Sequence, residues 1–213
     1  MIKKIRVILV DDHNIVRSGL RRLLELGGDI EVVAEASSGE QACEIYGGFK
    51  TDVLVMDLSM PGIGGQEALR RILMFAPRAK IVIFTMHENI TFASQALSAG
   101  ARGYVAKSGL ADDLLLAVRE AAVGRSYISP GIAQKIAMQT ISGEQNPMKQ
   151  LSAREFEVFR LLAEGLSIDD IAGNLNISQK TVANYQTMLK QKLGISNAVE
   201  LVRFAMRHGV ISG

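Results

Sequence analysis

Five short apolar runs in the first part of the chain are each followed by a stretch of helical periodicity. The runs span residues 5–10, 31–34, 53–56, 81–85 and 103–106, and the helical stretches span 14–26, 39–46, 66–75, 91–99 and 111–123. A run such as VLVM at 53–56, apolar on both faces and rich in β-branched residues, reads as a central strand of a parallel sheet. Strand–helix alternation of this kind predicts an α/β, doubly wound parallel sheet with helices on both faces. The first helical stretch places Ile15, Leu20, Leu23 and Leu24 on one side and Arg17, Arg21 and Arg22 on the other.

A flavodoxin-like strand order, 2-1-3-4-5, opens a crevice between the first and third strands, at the carboxyl edge where such sheets bind ligands. The residues at that edge are polar: Asp11 and Asp12 after the first run, Asp57 after the third, Thr85 at the end of the fourth, Lys107 after the fifth. Three carboxylates brought together repel one another unless a cation compensates. A hard divalent ion, Mg²⁺ (or Mn²⁺), suits oxygen ligands and a site that keeps several waters. A lysine and a hydroxyl beside it make a receptacle for an anion with several oxygens, such as a phosphoryl group. Each residue alone has an ordinary explanation. The aspartates or Asn14 could cap the next helix, Thr85 could simply end a strand, and Lys107 could be a solvated loop lysine. Together those explanations require five coincidences in one crevice. Gly62, Gly64 and Gly65 lack the G-x-G-x-x-G spacing and read as a tight turn into the third helix.

Asp11-Asp12, Asp57 followed by Met60-Pro61-Gly62, Thr85, and Lys107 after Gly103-Tyr104 resemble the receiver domain of bacterial two-component response regulators. The resemblance implies that Asp57 takes a phosphoryl group from a phosphohistidine of a sensor histidine kinase or phosphotransfer protein. It implies that Asp12, Asp57 and the Ser59 backbone carbonyl ligate Mg²⁺, with Asp11 acting largely through water. Lys107 and the Thr85 hydroxyl would each contact a phosphoryl oxygen. A carboxylate is an adequate nucleophile toward an activated phosphoryl group, and the rest is positioning and charge stabilisation. Tyr104 reads by residue type as a half-buried aromatic on an edge strand. The resemblance gives it a sharper part: Thr85 moves toward the phosphoryl group and Tyr104 follows inward. His13 and His87 read as exposed loop histidines.

Residues 125–150 form a connector, with a short helix over 131–140 carrying Ile132 and Ile136 and an aperiodic stretch over 141–150 that reads as a linker. Residues 1–124 precede it and 151–213 follow it. The last part announces four helices by their caps. Ser152-Ala-Arg-Glu155 is a capping box, Ser167 and Ser178 open the next two helices, and Ser196 or Asn197 opens the last. Two short helices joined by a tight turn around Ile171, Leu175, Ile177 and Val182 describe a helix-turn-helix, so a small all-α four-helix domain is expected. The part from 151 onward holds seven basic and six acidic residues, yet 178–192 carries three lysines and no acid. Small and amide side chains among lysines suit entry into a major groove.

LSARE, EGLSIDDIAGNLNIS, QKTVANY and KQKLGI resemble the LuxR-type DNA-binding domain, over essentially all of 151–211. The resemblance makes Lys180, Ala183, Asn184 and Thr187 groove-facing candidates and Thr181, Lys190 and Lys192 phosphate-contact candidates. Ala183 and Thr187 stand where that family is often basic, which shifts base readout toward Asn184. Asp170 is expected to keep a pairing role at the start of its helix. Receiver plus LuxR-type helix-turn-helix is the combination of the NarL/FixJ family, and DLSMPGIGGQEA and RHGVI look closest to its GacA/UvrY-type members. The implied partners are a kinase or phosphotransfer protein, double-stranded DNA, and a second copy of the chain. The unphosphorylated receiver would either shield the DNA-reading helix or withhold dimerisation.

The remaining observations bound the class. One cysteine, Cys43, excludes an intrachain disulfide and fits the reducing cytoplasm; it reads as a buried small hydrophobe. No apolar stretch approaches the roughly 20 residues of a membrane span, so no membrane partner is expected. The net charge of +2 does not itself argue for nucleic acid. A phosphohydrolase with an aspartate nucleophile, of the haloacid dehalogenase type, would carry Asp-x-Asp on its first strand and a cap domain. This chain carries adjacent aspartates and no cap, so a regulator and not an enzyme is expected.

Overall fold

The structure, a computed structural model, describes residues 3–142 and 147–211. Among the described residues, six parallel strands form one sheet: β1 (Ile5–Val10), β2 (Ile30–Ala36), β3 (Val53–Met56), β4 (Ile81–Thr85), β5 (Gly103–Ala106) and β6 (Tyr127–Ile128). Their order is β2-β1-β3-β4-β5-β6, so the expected 2-1-3-4-5 holds and one strand is added at the edge. β6 is two residues long and falls below any periodicity signal. The Tyr127 N–H donates to Arg102 O and the Ser129 N–H to Tyr104 O, which fixes the pairing with β5.

Five helices connect the strands: α1 (Asn14–Glu25), α2 (Gly39–Tyr46), α3 (Gly64–Phe75), α4 (Ile90–Ser98) and α5 (Ala111–Ala122). The period-two alternation of the strands divides the core. Val7, Leu9, Val53, Val55, Val82 and Val105 face the side of α1 and α5. Ile8, Leu54, Met56, Ile83 and Tyr104 face the other side. On α1, Leu20 and Leu24 are buried as expected, but Ile15 is 89% exposed. Five residues separate Ile15 from Leu20, which turns it about 140° away around the helix. Cys43 is half-buried, and burial pushes its thiol pKa up.

α6 (Pro130–Ser142) packs on α4 through Ile132, which is buried, and Ile136. The linker expected over 141–150 lies partly outside the described residues; Pro147–Gln150 form a 3-10 turn. The last four helices are α7 (Ala153–Ala163), α8 (Ile168–Leu175), α9 (Gln179–Leu193) and α10 (Ala198–Arg207). Capping boxes pair Ser152 with Glu155 and Ser167 with Asp170, which gives Asp170 its expected structural part. Ser178 caps α9, and Asn197 rather than Ser196 caps α10. Gly194 ends α9 at φ 66°, a left-handed conformation that favours glycine.

The helical part docks on the α3–α4 face of the sheet, and its core is continuous with that face. Arg154 Nη1 lies 3.1 Å from a Glu67 carboxylate oxygen. Arg154 and Arg71 both donate to Leu175 O, at 2.8 and 3.2 Å. The Gln95 amide donates to Met148 O and Leu151 O, at 2.8 and 3.1 Å. The Asn89 amide donates to His208 O at 2.8 Å.

Candidate functional site

The three central strand ends converge as their order requires. β1 delivers Asp11, which is 1% exposed, and β3 delivers Asp57, which is 4% exposed. Sheet pairing continues past the strands: the Asp57 N–H donates to Val10 O at 3.0 Å, and the Lys107 N–H to Thr85 O at 2.8 Å. Lys107 Nζ is therefore held between the carboxylates, 2.6 Å from Asp11 Oδ2 and 2.6 Å from Asp57 Oδ2. The other oxygen of each carboxylate accepts a backbone N–H, from His13 to Asp11 at 2.8 Å and from Ser59 to Asp57 at 3.1 Å. Burial works against the charge on Lys107, but the hydrogen bonds from its ammonium to Asp11 and Asp57 outweigh it and raise its pKa.

Asp12 stands at the rim with its Oδ1 buried and accepting no hydrogen bond; His13 Nδ1 is 2.9 Å away. One ligand atom from each of Asp11, Asp12 and His13 can be chosen so that all lie within 4.8 Å of one another. One lysine thus bridges two buried carboxylates, with a third carboxylate, Asp12, beside them at the rim. This acidic pocket, with hard oxygen donors and an unsatisfied buried oxygen, fits a divalent cation of the Mg²⁺ kind.

Thr85 is fully buried, and its Oγ1 accepts the His87 N–H at 3.4 Å. Tyr104 is also fully buried, and its hydroxyl donates to His87 O at 2.8 Å. The aromatic expected to be half-buried on an edge strand therefore points inward, since β6 covers the edge. Burial and the nearby Asp57 charge raise the Tyr104 phenol pKa.

His87 departs most from expectation. It is not an exposed loop residue: its Nε2 lies 2.8 Å from Ser59 Oγ and its ring stacks on Phe92, centroids 4.0 Å apart and 10° from parallel. Burial and the neighbouring Arg160 lower its pKa. No local motif announces this, because the partners come from three separate segments. His13 is exposed, as expected.

On α9, Lys180, Asn184 and Thr187 are exposed, while Thr181 and Ala183 are half-buried. The Thr181 N–H donates to the capping Ser178 hydroxyl at 3.1 Å, so Thr181 sits in the first turn. Lys190 is half-buried. Lys192 Nζ is engaged within the helical frame, 2.7 and 2.8 Å from the Glu155 carboxylate oxygens and 3.3 Å from Gln150 O. Tyr185, on the flank of α9, bears on the charges of Arg70 of the receiver and Arg154. The face carrying Lys180, Asn184 and Thr187 remains open.

Comparison with known proteins bears on both halves. The response regulator receiver domain family matches residues 7–119, and the luxR family of bacterial regulatory proteins matches residues 149–205. The response regulator UvrY of Escherichia coli strain K12 is 40% identical over 208 residues, 97% of this chain and 95% of that protein. The response regulator GacA of Pseudomonas aeruginosa is 37% identical over 209 residues, covering 97% of this chain and 98% of that one. Among solved structures, RcsB from Salmonella enterica serovar Typhimurium, bound to promoter rprA with the phosphomimetic BeF3⁻, superposes with a TM-score of 0.75. It is 30% identical over 95% of this chain and 98% of that one. These relatives are regulators and not enzymes. The chain belongs to the NarL/FixJ family of response regulators, a receiver domain joined to a LuxR-type DNA-binding domain, and its kinship lies with the GacA and UvrY type.

Proposed function

We propose that Asp57 is the phosphoacceptor of this response regulator, and that its phosphorylation controls how two copies pair on DNA. The observation that carries the reading is Lys107 bridging Asp11 and Asp57 at 2.6 Å each, in the crevice between β1 and β3. Asp57 attacks phosphorus of a phosphohistidine on a sensor kinase or phosphotransfer protein; the P–N bond breaks as the O–P bond forms, and the imidazole leaves with a proton. Asp11, Asp12, Asp57 and the Ser59 carbonyl would hold Mg²⁺ (or Mn²⁺). The ion would offset the carboxylate charge and draw in phosphoryl oxygens. Lys107 turns from its two carboxylates to one phosphoryl oxygen, and Thr85 turns its hydroxyl to another. Tyr104 fills the space behind Thr85.

For DNA, Lys180, Ala183, Asn184 and Thr187 are assigned to the major groove, and Thr181 and Lys190 to phosphates. Lys192 would have to leave Glu155 to act there. Two copies reading half-sites about one helical turn apart form the functional unit. The open face of α9 supports control by pairing in preference to control by shielding. The division we propose is a receiver over 1–124, a connector over 125–150 and a DNA-binding domain over 151–213. The chain works in the cytoplasm, where kinase and chromosome meet. No described helix is long and apolar enough to cross a membrane.

The test is labelling by acetyl phosphate with Mg²⁺, followed on a phosphate-affinity gel. The parent is expected to label and Asp57→Ala to remain unlabelled. Equal labelling of both would remove Asp57 from its assigned place.

A further inference from the structure

His87 sits where three parts of the molecule meet. Its Nε2 is 2.8 Å from Ser59 Oγ, two residues beyond Asp57. Its N–H reaches Thr85 Oγ1 at 3.4 Å, and its carbonyl accepts the Tyr104 hydroxyl at 2.8 Å. Its ring lies flat on Phe92. Phe92 in turn meets Phe156 of α7 edge to face, centroids 5.2 Å apart at 85°. Phe156 is fully buried. One residue therefore touches the loop after Asp57 and both switch candidates and, through a single ring, the DNA-binding helices.

The structure also offers this ring a second place. Beside it, between the receiver and α7, lies a cavity of about 270 Å³ bordered by Ser59, Met60, Gln66, Glu157 and Arg160. Gln66 is 5% exposed, and neither its Oε1 nor its Nε2 has a hydrogen-bond partner. An unpaired buried carboxamide is unfavourable, and it presents both a donor and an acceptor to whatever enters. An imidazole turned off Phe92 would bring a ring nitrogen to that space. Two discrete arrangements of one side chain, each with partners, are what a switch between packed states requires.

We propose that His87 is the positioning residue that couples phosphorylation of Asp57 to release of α7. With Asp57 unmodified, the ring rests on Ser59 and Phe92 and supports the Phe92–Phe156 contact. When the Thr85 hydroxyl turns to the phosphoryl group, it gives up the His87 N–H. The loop after β4 shifts, the ring moves into the cavity toward Gln66, and Phe156 loses the backing of its partner. The inference rests on the phosphoacceptor reading above.

The experiment uses the full chain with acetyl phosphate and Mg²⁺. Labelling is read on a phosphate-affinity gel, and docking is read as hydrogen exchange of α7 amides. In the parent, labelling should accelerate α7 exchange several-fold. His87→Phe keeps the stack and the backbone bonds to Thr85 and Tyr104, and loses the ring's bond to Ser59 and its capacity to bond Gln66; it should label like the parent and show less than half that acceleration. Gln66→Leu, which removes the second partner and fills the cavity, should behave the same way. Exchange of the β1 and β3 amides, unchanged from the parent, certifies that each variant is folded. An unlabelled parent would overturn the phosphoacceptor reading. A parent that labels while α7 stays protected, or a folded His87→Phe that opens as fully as the parent, would overturn the coupling.

Discussion

Glu67 on α3 and Arg154 on α7 form an ion pair of 3.1 Å across the two halves of the chain, at a point where Glu67 is only 2% exposed. The same carboxylate takes hydrogen bonds from Arg70 and Arg71. Three guanidinium groups thus share one acid. Replacing Glu67 with Gln leaves them facing one another over a neutral amide, and should weaken docking by about 2 kcal/mol. Calorimetry is expected to show one transition for the parent and separate receiver and DNA-binding transitions for Glu67→Gln. A single unshifted transition in the variant would contradict this.

The same acid sets a pH limit. Burial by itself would raise the Glu67 pKa, but hydrogen bonds from Arg70 and Arg71 and the charge of Arg154 outweigh it and hold the carboxyl below its ordinary 4.5. A group lowered in the folded state contributes fully above its unfolded pKa and loses that contribution as pH falls through the folded value. The Glu67 contribution to docking should therefore be full and independent of pH near neutrality, and docking should weaken progressively below about 4.5. The difference in thermal midpoint between the parent and Glu67→Gln should shrink over that acid range. A difference that stays constant down to full protonation would contradict the assignment.

Lys107 is the cation nearest to Asp11 and Asp57, both almost fully buried. Lys107→Met leaves two neighbouring carboxylates uncompensated and should cost roughly 3 kcal/mol without divalent ions. Added Mg²⁺ should restore part of that, so the variant gains more thermal stability from the ion than the parent does. Equal gains would argue against an ion among these carboxylates.

The lysines of α9 should separate by function. Lys180 is exposed at the start of the helix, and Lys180→Ala should weaken DNA binding at all sequences and reduce the salt slope by about 1. Asn184→Ala should cost about 1–3 kcal/mol on the cognate site and little elsewhere. Lys192→Ala should instead lower the thermal midpoint, because its ammonium secures Glu155 of the α7 capping box. Anisotropy titrations at several salt concentrations distinguish the three. A Lys192→Ala protein with a shallower salt slope and parental stability would place that lysine on the DNA.

What could be read from the chain alone were features with local periodicity or a fixed relation to a strand end. Asp11, Asp57, Thr85 and Lys107 each lie at the end of a strand legible as an apolar run, so their convergence follows from strand order. The caps at Ser152, Ser167 and Ser178 are equally local. His87, Gln66 and the Glu67–Arg154 pair were not legible, because their meaning lies in contacts between segments far apart in sequence. β6 is too short to carry a period, and it turns Tyr104 from an edge residue into a covered one. Lys192 looked like its neighbours on a basic helix until Glu155 was seen to stand against it.

The open face of α9 changes where the gain of this regulator resides. A reading helix whose face is left open by the docked receiver would let the unphosphorylated copy sample DNA at the rate set by its charge. Under control by pairing, the contrast between silent and active states comes from a second-order step. The response then scales with the square of the phosphorylated concentration at low occupancy, and the cell can tune its threshold through the abundance of the protein as much as through the kinase.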